Sequence, residues 1–143
     1  TRSLCDWSSD VCSSDLHILV LLDKAKGALL SSDYMAGSLN INPVLVRKEL
    51  INLRENGFVT TKEGKNGGTT LAKSPKDIRL GALYQCVRSN YLLGSHKNDP
   101  NPLCEVGREI NQHLNSLYED TERQLVEQLN QQSLANFSAK FSN

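Results

Sequence analysis

Residues 42–57, NPVLVRKELINLRENG, restrict the fold of this chain more than any other stretch. Asn42 has the side chain of an N-cap, and Pro43 suits the first helical position, where no backbone N–H is needed. Leu45, Val46, Leu50 and Leu53 then recur at three- and four-residue steps, and Gly57 marks the end. The opposite face is polar, with Arg47, Lys48, Asn52 and Arg54. Two β-rich runs follow at once, FVTTK and TTLAK, separated by EGKNGG, whose glycines permit a tight turn. Upstream, SSDYMAGSLN reads as a short helix with Ser32 as N-cap and Tyr34, Met35 and Leu39 turned inward. Before it, HILVLL opens an apolar helix at His17 that stops near Lys24 and Gly27. Three helices followed by a hairpin make a winged helix-turn-helix, mainly α with a small β-hairpin wing.

The remainder reads as helical. Ser74 and Pro75 mark a turn before DIRLGALYQCV, in which Ile78, Leu80, Leu83, Tyr84 and Val87 are placed to pack on the head. NYLLGSHKNDPNP is rich in turn formers and reads as a loop. The longest helix is expected over residues 103–129, with Leu103, Val106, Ile110, Leu114, Leu117, Leu125 and Leu129 three or four apart and Thr121 filling the one polar step. A stripe that narrow on so long a helix either folds back on the head or pairs with a second copy, and pairing is the expectation, giving a long C-terminal dimerisation helix. Leu134, Phe137 and Phe141 close the chain as packing residues.

The first sixteen residues differ from the rest. TRSLCDWSSDVCSSDL holds five serines, two cysteines and the only Trp, has no helical or strand periodicity, and gives way abruptly to HILVLL. Residues 6–16 also match, without a mismatch, one translated frame of a common sequencing-library adapter, so residues 1–16 are read as a non-native segment to be set aside. A native Ser-rich tail is the alternative. Under the first reading Cys5, Cys12 and Trp7 have no function, leaving residues 17–80 as the head and 81–143 as a helical dimerisation and sensor region. The division also exposes a charge pattern that the neutral total of 16 basic and 16 acidic residues conceals. Residues 17–80 carry ten Lys and Arg against six Asp and Glu, whereas residues 81–143 carry five against seven. A basic head with this order of elements suits double-stranded DNA.

In such a head the N-terminal half of the third helix reaches furthest into the major groove, making Asn42, Val44, Arg47 and Lys48 the candidates for base contact. Asn42 is equally well explained as a cap, and Val44 as packing. Ser31, Ser32 and Tyr34 are placed to approach phosphates from the second helix, and Lys62, Lys65 and Asn66 from the wing. There is no GxxxxGK loop, nucleophile elbow or metal-spaced His and Cys cluster, so no enzyme is expected. With no apolar run of about 18 residues and no secretory leader pattern, a cytoplasmic protein without a membrane partner is expected.

The stretches SDYMAGSLNINPVLVRKELINLRENGFV, EGKNGGTTLAKSPKDI and CEVGREI resemble the Rrf2 family of bacterial transcription regulators, and the resemblance covers essentially all of residues 17–141. It implies a homodimeric, sequence-specific winged-helix regulator, most simply a repressor, with the third helix in the major groove and the wing on the backbone. It is nearest to the branch without a metal cluster. In the cluster-binding relatives three cysteines converge before the long helix; Cys104 matches the last of them, Cys86 lies eighteen positions earlier, and His96 is the remaining donor in that region. That set is too small for an iron–sulfur cluster, so no cofactor or metal is expected. Cys104 at a helix N-terminus, with Cys86 as a second thiol, is then the candidate redox site, and a buried packing role is the alternative. Two departures from the family stand out: the adapter-like string replaces a short Ser- and Arg-containing opening, and Thr69 stands where an aromatic residue usually follows the paired glycines. A winged-helix module that binds a protein instead of DNA is the competing function. The effector, whether small molecule or protein, is not legible.

Overall fold

The computed structural model describes residues 4–87 and 99–141. In chain order it comprises α1 (Leu4–Lys24), α2 (Ser32–Leu39), α3 (Pro43–Glu55), β1 (Val59–Lys62), β2 (Gly68–Leu71), α4 (Leu80–Val87), α5 (Glu105–Asn130) and α6 (Leu134–Ser138). The expected winged helix-turn-helix with a long C-terminal helix is present. Residues 88–98, which include His96 and most of the loop expected over 90–102, and the side chain of Val87 lie outside the described residues.

The head forms around apolar faces whose spacing is visible in the sequence. Ile18, Leu19 and Leu22 from α1, Met35 from α2, and Val46, Leu50 and Leu53 from α3 are buried together with Phe58 and Val59. Between α2 and α3 the chain turns in three residues. Asn40 makes this possible by adopting a left-handed conformation, φ 56° and ψ 46°, while its N–H donates to the Ala36 carbonyl. The strands pair antiparallel from Val59 opposite Leu71 to Lys62 opposite Gly68. Gly64, at φ +108°, supplies the left-handed residue that closes the turn. Leu30 and Thr69 exchange backbone hydrogen bonds of 3.0 and 2.8 Å, anchoring the wing to the segment that enters α2. Thr69 is buried there.

Several local expectations are corrected. Ser31, not Ser32, caps α2, because its extended backbone lets Oγ accept from the Tyr34 N–H at 3.1 Å. Tyr34 is exposed: it lies about 100° around the helix from Met35, and the inner side is formed by Met35 and Ala36, with Leu39 partly buried beside them. Leu45 is likewise largely outside, one position ahead of the buried Val46 on α3. The absence of periodicity in residues 1–16 does not end the helix at His17. The packed turn at residues 18–22 carries α1 backwards to Leu4 and places Asp15 wholly inside the fold.

The C-terminal region returns to the head. Leu80 N–H donates to the Gln132 carbonyl at 3.0 Å and Leu134 N–H to the Ile78 carbonyl at 2.8 Å, so the entry to α4 and the entry to α6 are tied side by side. Leu134 is buried in the head's core, alongside Ile78 and Leu83. Phe137 and Phe141 pack edge to face, with ring centroids 5.5 Å apart, over α1. Lys24 Nζ donates to the Phe141 carbonyl at 2.8 Å.

Candidate nucleic-acid interface

The residues singled out on α2 and α3 meet through Arg47, and those of the wing are exposed. Asn42 caps α3 by accepting from the Val44 N–H at 2.9 Å, an interaction worth about 1 kcal/mol that also fixes where the helix begins. Since Val46, Leu50 and Leu53 face inward, the outer face falls to Val44, Arg47, Lys48 and Ile51. Val44 is 62 % exposed, which excludes the packing role for it in this chain. Ile51 was missed because an isoleucine in an amphipathic helix reads as core; its one available signal was its place two turns beyond Val44, on the same side. Ser31 and Tyr34 are exposed at the start of α2, and Lys62, Lys65 and Asn66 are exposed on the wing.

Arg47 does not hang free. Its Nε–H donates to Ser32 Oγ at 3.2 Å, and its Nη2 lies 3.6 Å from Asp33 Oδ1. The guanidinium of α3 is therefore held by the first two residues of α2, across the helix-turn-helix. Asp33 carried no signal in the sequence, where an acidic residue in a first helical turn is explained by the helix dipole alone.

The candidate sensor residues are far apart. Gly81, at the start of α4, lies against Val126 and Asn130 of α5, so close that a Cβ there would overlap them. Cys86 lies five residues along α4 from Gly81, whereas Cys104 is separated from Val126 by 22 helical steps of about 1.5 Å. More than about 15 Å must separate the two cysteines, beyond the roughly 7 Å limit for a disulfide, so Cys86 is not a partner for Cys104 within a chain. Burial also pushes the Cys86 thiol up, with Lys73 opposing and Asp15 adding to the rise, which disfavours its thiolate. Cys104 is exposed and is itself the N-cap of α5, its Sγ accepting from the Gly107 N–H at 3.5 Å. Glycine is required at 107, because a Cβ would sit 2.7 Å from the Asn101 carbonyl oxygen. Cys104 is therefore not a buried packing residue, and the CEVG turn is accounted for by its cap and by the close approach of Asn101 at Gly107.

The family model for Rrf2, described as "Iron-dependent Transcriptional regulator", matches residues 9–140. The chain belongs to the Rrf2 family. It is 34 % identical over 119 residues to the "Putative HTH-type transcriptional regulator YwnA" of Bacillus subtilis strain 168, spanning 83 % of this chain and 87 % of that protein. It is 30 % identical over 95 residues to the HTH-type transcriptional regulator NsrR of Halalkalibacterium halodurans, spanning 62 % of this chain and 65 % of the relative. Among solved structures, a "putative transcriptional regulator" from Lactobacillus plantarum superposes with a TM-score of 0.74 at 29 % identity, covering 90 % of this chain and 87 % of its own. The cysteine regulator CymR of B. subtilis, at 17 % identity, shares the fold with a TM-score of 0.62 over 99 % of this chain and 98 % of its own. The iron in the family's description does not fit the donors described in this Rrf2 chain. Cys86 and Cys104 are too far apart to share a metal, and no three His, Cys, Asp or Glu side chains converge among the described residues. No described helix is long and apolar enough to cross a membrane.

Proposed function

We propose that this Rrf2 protein is a cytoplasmic, homodimeric repressor that reads double-stranded DNA through α3, without catalysis. The observation that carries the reading is the outer face of α3, where Val44, Arg47, Lys48 and Ile51 stand together on a capped helix beside a cationic wing. Arg47 and Lys48 supply donors for guanine O6 and N7, and Val44 and Ile51 supply methyl groups for thymine. Ser31, Tyr34, Lys62, Lys65 and Asn66 fit the separate task of positioning on phosphates. The names of the B. subtilis and H. halodurans relatives, both HTH-type transcriptional regulators, support the same assignment.

Dimerisation is supported by α5, which has no buried residue despite its 26-residue length. Val106 and Leu117 on the helix are 68 % and 58 % exposed and Leu103 just before it 91 %, an unusual amount of apolar surface to leave in water without a partner. The division into a head over residues 17–80 and a dimerisation region over 81–143 belongs to this reading. So does a foreign origin for residues 1–16, which the buried, unpartnered carboxyl of Asp15 supports.

Binding by the full chain to duplexes selected from a randomised 30-base-pair library, measured across salt concentrations, tests the function. Affinity is expected to fall steeply as salt rises. Arg47→Ala is expected to lower affinity for the selected duplex by about 1–3 kcal/mol while changing scrambled-duplex binding far less. Lys65→Ala is expected to weaken both and reduce the salt slope by about one. Failure to enrich any sequence would favour the protein-binding module, and equal losses on both duplexes would remove Arg47 from base readout.

A further inference from the structure

We infer that Asp33 is a specificity-determining positioning residue: with Ser32 it clamps Arg47 by one edge, so that the guanidinium meets DNA end-on and reads a base instead of swinging to a phosphate. The inference rests on the reading of α3 as the base-contacting helix.

A guanidinium has two edges that bond in pairs. Nε with Nη2 forms the side edge, and Nη1 with Nη2 forms the end. In this protein Nε on the side edge donates to Ser32 Oγ at 3.2 Å, and Nη2 stands 3.6 Å from Asp33 Oδ1, an ion pair just beyond hydrogen-bond distance that draws the guanidinium to the same side of α2. The end edge has no hydrogen-bond partner among the described residues, leaving both nitrogens available for a guanine O6 and N7 pair.

The position of the pair argues against a stabilising purpose. Both side chains are more than half exposed, at 56 % for Arg47 and 76 % for Asp33, and exposed ion pairs contribute little to folding. A carboxylate at the start of α2 is also costly for DNA binding, since that end of the helix is the one proposed to face phosphates and an acid there repels them. What Asp33 gives in return is orientation. An arginine with several free torsions has phosphates on both sides of the groove as competing partners, and these carry no sequence information. Drawn to one side by Ser32 and Asp33, Arg47 has its orientations biased before DNA arrives, so less ordering is needed on binding. Ser32 fits the same arrangement. Its oxygen accepts from Arg47, and its own hydroxyl hydrogen stays free to donate to a phosphate.

The experiment compares wild type, Asp33→Asn, Asp33→Glu, Arg47→Ala and the double variant D33N/R47A, as full chains, on the selected 30-base-pair duplex and a scrambled duplex of the same composition. Thermal melts confirm that each variant is folded. Asp33→Asn is expected to lower the preference for the selected duplex about tenfold, with scrambled-duplex binding strengthened and its salt slope steeper by about one, as a released Arg47 takes up a phosphate. Asp33→Glu is expected to retain the preference. In the R47A background the Asp33→Asn change is expected to have no further effect on it. Loss of preference in R47A with none in D33N would overturn the role of Asp33 and leave Arg47 as a reader. An equal strengthening on both duplexes in D33N, or an undiminished effect of D33N in the R47A background, would also overturn it. An unchanged preference in R47A would instead remove the base-reading role on which the inference stands.

Discussion

Asp15 is the residue least at home in this fold. Its side chain is fully buried on α1, and neither carboxyl oxygen has a hydrogen-bond partner. Burial pushes its pKa up to about 8, and the neighbouring carboxyl of Glu49 adds to the rise. A carboxyl with a raised pKa holds its proton more tightly folded than unfolded. Asp15 therefore costs the fold nothing below its ordinary value of 3.8, costs progressively more as pH climbs to about 8, and has a constant effect above that. Asp15→Ala removes the group without adding volume. It is expected to stabilise the protein by about 1–3 kcal/mol at pH 8, and the gap between variant and wild-type melting curves should shrink steadily towards pH 5. A gap independent of pH would show that Asp15 is solvated or compensated. Its burial was hidden in the sequence, because a Ser- and Asp-rich string gives no amphipathic signal, and only the adjoining HILVLL draws it into the helix.

Among the elements, α3 and the wing were legible before any coordinates, because their signals are local. A cap at Asn42, a proline at the first position and a glycine-rich turn each act within four residues. The α5 stripe was legible only as a sum. Of its seven positions Leu103 falls outside the helix, which starts at Glu105 behind the Cys104 cap, and the other six divide into two faces: Leu114, Leu125 and Leu129 are half-buried on the side with Gly107 and Tyr118, while Val106, Ile110 and Leu117 point outward. The outward set, at steps of four and seven, fits the a and d positions of a seam between helices, and the inward set accompanies the contact with α4. Spacing of three or four alone does not separate the two. Nor does sequence reveal the pairing of residues 78–80 with 132–134, since backbone bonds across fifty residues leave no trace in side-chain pattern. The two faces predict different outcomes. Leu117→Asp places a charge on the outward seam and is expected to give a folded monomer in sedimentation, with unchanged thermal unfolding of the head. A dimer that survives this substitution would place the interface elsewhere.

At the scale of the whole molecule, the basic head and the long helix serve one geometry. A head with α3 outward reads a few base pairs, too few to select a site among many, whereas two heads joined through α5 read two half-sites with their symmetry reflected in the DNA. In the proposed dimer such pairing would double the phosphate contacts and so steepen the dependence on salt. Hydroxyl-radical footprinting of the full chain on its selected duplex tests this most directly. A dimer that reads DNA through both copies of α3 is expected to give two protected patches on one face of the DNA, centred about one helical turn, roughly 34 Å, or a whole multiple of it apart, appearing together at one protein concentration and fading together as salt is raised. A single patch, or two that fill independently, would contradict a dimer that reads DNA through both copies of α3.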